Sequence, residues 1–94
     1  MTQVELQAWW PEMAVVVLDL QRIGQPVVAD LLIDAVSAAA TSGEILCGVG
    51  VVLRDHRALR SQVDAVAAIA WDAVMADVDR AYPGASLTRQ RGNR

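Results

Sequence analysis

The stretch Thr41–Asp55, TSGEILCGVGVVLRD, decides whether this chain is wholly helical or mixed. Its apolar positions Ile45, Leu46, Val49, Val52 and Leu53 recur at three- and four-residue intervals, the period of one helical face. Against a helix stand Gly48 and Gly50, each of which costs about 1 kcal/mol relative to alanine in a helix interior. The β-branched run around them would also suit a strand. Thr41 and Glu44 have the spacing of a capping box, and no partner strand is evident elsewhere in the sequence. The stripe and the cap together predict a helix, with a strand over residues 45–53 as the alternative.

Upstream, Pro26 is suited to open a helix, because its missing N–H falls where no bond would be made. Val27, Val28, Leu31, Leu32, Ala35 and Val36 form its expected buried stripe, with Asp30, Asp34 and Ser37 opposite. Before it, Glu12–Ile23 places Met13, Val16, Val17, Leu20 and Ile23 on one stripe, and Gly24 fits a left-handed helix end. Its polar strip is narrow: Glu12, Asp19 and Arg22. Pro11 separates this helix from a shorter first one, which Thr2 and Glu5 can cap and which runs toward Trp9 and Trp10. Downstream, a last helix is expected from Ser61, or from as early as Asp55, to Tyr82. Its stripe reads Val63, Ala67, Ala70, Trp71, Val74, Val78 and Tyr82, and Pro83–Gly84 stops it.

These segments predict an all-α fold, a compact antiparallel bundle of four to five helices occupying residues 1–84 as a single domain. Residues 85–94 then form a short frayed basic tail. Apolar residues make up 54% and charged residues 20%, too greasy a balance for a disordered chain. No apolar run approaches the ~18–20 residues needed to span a bilayer, and the acid-bearing N-terminus lacks the form of a signal peptide. The single cysteine excludes an internal disulfide, so a cytoplasmic location is the expectation. Residues 1–84 hold five arginines against eleven carboxylates, whereas Arg89, Arg91 and Arg94 make the tail basic. An acidic body disfavours phosphate tracking and suits a basic partner.

Reactive constellations are absent from the pattern. Cys47 and His56, the only thiol and imidazole, fall on opposite faces if one helix carries both, so they cannot form a nucleophile–base pair. Cys47 reads as a small buried apolar residue, and His56 as a solvated or turn-associated one. Asp30 and Asp34 share a face but lack the Glu-x-x-His unit of dinuclear bundles. Asp72, Asp77 and Asp79 spread around the last helix without a common focus. Gly48–Val49–Gly50 begins like a dinucleotide loop but has Leu53 at its third glycine position. The chain therefore reads as non-enzymatic, with no metal, cofactor or small-molecule substrate implied.

What remains is surplus apolar surface. Val15 and Leu18 widen the second helix's stripe, and Val66 and Ile69 make a second face on the last helix. So short a chain has room for only about one helix that is apolar all round. Adjacent Trp9 and Trp10 cannot both point into one core, so one of them is a candidate interface anchor. The expectation is a protein-interaction module binding another protein or a second copy of itself, through Trp9, Trp10, Val15, Leu18, Val66 and Ile69, with Arg54 and Arg57 as candidate polar contacts. Two alternatives remain: an acidic inhibitor of a basic protein, of the immunity or antitoxin kind, and a nucleic-acid accessory protein using Arg54, Arg57 and Arg60. The sequence argues against the last, because phosphate binding usually needs many more cations.

Overall fold

In a computed structural model, residues 3–39 and 41–81 are described. The expected Thr2 cap, the Tyr82–Gly84 helix stop and the 85–94 tail lie outside them. The fold is all-α, with five α-helices among the described residues: α1 (Gln3–Trp9), α2 (Pro11–Arg22), α3 (Pro26–Ala38), α4 (Ser42–Asp55) and α5 (Ala65–Ala81). Residues 45–53 are helical, and no strand occurs among the described residues. None of the helices there is long and apolar enough to cross a membrane.

Local chemistry sets the helix ends. Pro11 and Pro26 each sit in the first turn of their helix. At the end of α2 the Gln25 N–H reaches back to the Leu20 carbonyl (2.8 Å) and the Gly24 N–H to that of Gln21 (3.2 Å). This is the double closure of a Schellman motif, and it puts Gly24 at φ +83°, where a side chain would be strained. Thr41 caps α4: its hydroxyl oxygen accepts from the Glu44 N–H (3.2 Å) and its O–H donates to the Glu44 carboxylate (3.1 Å).

The last helix starts later than expected. After His56 the chain tightens into a 3₁₀ turn over Arg57–Ser61, and α5 begins only at Ala65. The signal overlooked in the sequence is Asp64, whose carboxylate accepts from the Ala67 N–H (2.8 Å) as an N-cap.

Helices α2 to α5 form an up-down-up-down ring, with α2 packed on α3 and α5, α4 packed on the same two, and α1 laid against α2. Their facing stripes make one core, built around Met13, Val16, Leu20, Leu32, Leu53 and Val74, into which α1 inserts Leu6. The glycines that argued against a helix are where α4 meets its neighbours. A Cβ on Gly48 would lie 3.2 Å from the Ala35 Cβ on α3, and one on Gly50 would lie 2.8 Å from Val78 Cγ1 on α5. Their helix-propensity cost is thus offset by close approach on both flanks. Gly48→Ala is expected to change stability by less than about 1 kcal/mol in thermal unfolding, since the propensity gain balances a small displacement of α3.

Three burial expectations are corrected. Val27 and Leu31 do not join the α3 core stripe: Val28, Ala29, Leu32 and Val36 turn inward, leaving Val27 and Leu31 exposed. Both residues belong to an apolar arc wider than the core can cover, and the position of α4 selects its inner half. Asp19, assigned to the polar strip of α2, is buried. Cys47, expected to be buried, is exposed on the outer side of α4.

Candidate functional site

Asp19 is an internal fastener rather than a reactive carboxylate. It accepts from the Arg22 Nε and Nη2 groups on its own helix, the latter at 3.1 Å, and from the backbone N–H of Asp64 at 3.0 Å. The end of α2 is thereby tied to the residue that caps α5. The hydrogen bonds from Arg22 hold the Asp19 carboxyl below the usual carboxylate range, aided by the Asp64 N–H and opposed by burial.

The arginines do not form one helical face. Helical geometry ends at Asp55, so the i, i+3, i+6 relation of Arg54, Arg57 and Arg60 is lost. Arg60 forms a two-pronged pair with Asp72 (2.8 and 2.6 Å), which lowers the Asp72 pKa, and Arg57 donates to the Arg54 carbonyl (3.2 Å) at the end of α4. Arg54 is part-buried, and its Nη1 is buried with no hydrogen-bond partner among the described residues. Asp77 pairs with Arg80.

Cys47 and His56 stay apart. Cys47 faces outward in the second turn of α4, whereas His56 follows the helix and donates from Nδ1 to the Val52 carbonyl (2.8 Å). This is the turn-associated role read from the sequence. Among the described residues no group of three or more His, Cys, Asp or Glu side chains is placed to hold a metal.

The two tryptophans pack edge to face, with ring centroids 5.8 Å apart at 80°. Trp10 packs against the core, while Trp9 remains 52% exposed. They line an open cavity of about 530 Å³, together with Ser42, Ile45 and Leu46 of α4 and Asp77, Arg80 and Ala81 of α5.

The surplus apolar residues lie on the α2–α5 pair. Leu18 is 58% exposed, Val66 66% and Ile69 70%, with Val15 half-buried against the core. The Asp19–Asp64 bond joins the C-terminal end of α2 to the N-terminal end of α5, and Trp10 shares its cavity with Asp77 and Arg80 at the other end. The two helices therefore run antiparallel, which brings Val15 and Leu18 to the same level as Val66 and Ile69. Val15 and Leu18 also line a shallow groove of about 110 Å³ with Gln7, Pro11 and Ala14. Every ion pair among the described residues includes a residue of α2 or α5 (Arg22–Asp19, Arg60–Asp72 and Arg80–Asp77), so charge on this side is largely compensated.

No protein-family model, no curated protein and no solved structure matches this chain.

Proposed function

We propose that the chain is a non-catalytic interaction module that associates with a second copy of itself through the outer side of α2 and α5. The observation carrying this reading is the exposure of Leu18, Val66 and Ile69 beside a core that is already complete without them. Two copies related by a two-fold axis would bury six such side chains. At about 1–2 kcal/mol for each partly exposed aliphatic group, the gross gain is roughly 6–12 kcal/mol. Association costs about 4–15 kcal/mol in lost rigid-body freedom, so these side chains support at most a weak dimer, no tighter than about micromolar. Ala65, Ala73 and Ala76 beside this face would let helices approach closely, and its paired charges would let identical surfaces meet without net repulsion.

Light scattering with sedimentation equilibrium tests this across the micromolar range. The wild-type chain is expected to shift from monomer to dimer with concentration. The variant Val66→Ser with Ile69→Ser should remain monomeric with an unchanged helical circular dichroism spectrum. A wild-type chain that stays monomeric throughout removes the proposal.

A further inference from the structure

The opposite pair of helices has an apolar surface of different character. Ala35 of α3 meets Gly48 of α4, and the short connection between the helices makes them antiparallel. Leu31 lies one turn before Ala35 and Val51 one turn after Gly48, so the two fall at the same level, with Val27 a turn beyond Leu31. All three are exposed: Val27 70%, Leu31 41% and Val51 45%. The charge around them is predominantly negative. Helices α3 and α4 carry Asp30, Asp34, Glu44 and Asp55, all exposed, against one cation, the part-buried Arg54. No ion pair among the described residues involves α3 or α4.

A second copy presenting this face would bring carboxylates against carboxylates. An aliphatic strip rimmed mainly by acids instead suits a segment with aliphatic side chains along its centre and cations on its flanks. We propose that the outer side of α3 and α4 is a docking surface for a basic amphipathic helix of another protein. The aliphatic side chains of that helix would lie over Leu31 and Val51, and its cations would meet Asp30, Asp34 and Glu44. This surface shares no residue with the α2–α5 face, so either proposal can fail without the other.

The probe is a fluorescently labelled synthetic peptide of leucine, alanine and arginine, with its leucines on one helical face, titrated into the full chain and followed by anisotropy. A scrambled peptide of the same composition is the reference. The amphipathic peptide is expected to bind at least about tenfold more tightly than the scrambled one, a factor worth 1.4 kcal/mol. Leu31→Ser with Val51→Ser should weaken binding by a similar factor, and Asp30→Asn with Asp34→Asn should weaken it and flatten its salt dependence. Val66→Ser with Ile69→Ser should leave it unchanged. Equal binding of the scrambled peptide, or indifference to the α3 and α4 variants, overturns the proposal. So does a gain in affinity when Arg89, Arg91 and Arg94 are changed to glutamine, since the occupant would then be the chain's own basic end.

Discussion

Asp19→Ala is expected to lower stability by about 2–3 kcal/mol, which for a domain of this size corresponds to roughly 10–20 °C in the midpoint of thermal unfolding. The substitution removes a charged acceptor from a buried position and strips the Asp64 N–H of its partner, so the tie between α2 and the start of α5 is lost. Asp19→Asn retains an oxygen for that N–H but gives up the charge facing Arg22, and it should cost about half as much. A loss smaller than about 0.5 kcal/mol for Asp19→Ala would show that the 3₁₀ turn and the Asp64 cap hold the α5 start unaided.

The same carboxylate sets the acid limb of stability. Its pKa is depressed in the folded chain, so its contribution is complete above the unfolded value of about 3.9 and disappears as the pH falls through the folded value. Asp72 acts in the same direction through Arg60, but that pair is exposed and screened, so its share is minor. Chemical denaturation repeated below about pH 4 should therefore show a steeper loss of stability in the wild-type chain than in Asp19→Asn. Parallel curves would assign the acid sensitivity elsewhere.

Gly50→Ala is the second substitution with a large expected effect. An alanine methyl there would sit 2.8 Å from Val78 Cγ1, and Val78 is itself buried in α5. Overpacking costs about 1–3 kcal/mol, more than the roughly 1 kcal/mol gained in helix propensity, so a net loss of about 1–2 kcal/mol is expected. The sign should reverse where the obstructing methyl is gone. In a Val78→Ala background, Gly50→Ala should stabilise by up to about 1 kcal/mol, because the new methyl fills the vacated space and the propensity gain remains. Additivity in this double-mutant cycle would mean that Gly50 and Val78 are not in contact.

Periodicity is a property of the chain alone, and it was enough for the presence of the helices, for most of the core and for the helix ends at Gly24 and Thr41, but not for the start of α5, where the Asp64 cap was overlooked. Met13, Val16, Val17 and Leu20 on α2, and Ala67, Ala70, Trp71, Val74 and Val78 on α5, are buried as their spacing predicts. Gly24 and the Thr41–Glu44 box likewise end and begin helices where local chemistry requires it. Tertiary placement decided the rest. Which half of the α3 arc faces inward depends on where α4 lies, so Val27 and Leu31 could not be separated from Val28 and Leu32 beforehand. The cost of Gly48 and Gly50 is legible within the helix, but its compensation comes from Ala35 and Val78 on neighbouring helices. Asp19 reads as one more polar residue until folding brings the Asp64 N–H, forty-five positions away, within 3.0 Å of its carboxylate. A residue's helical phase is fixed by bonds along the chain, whereas its burial and partners are fixed by elements that the chain brings alongside only on folding.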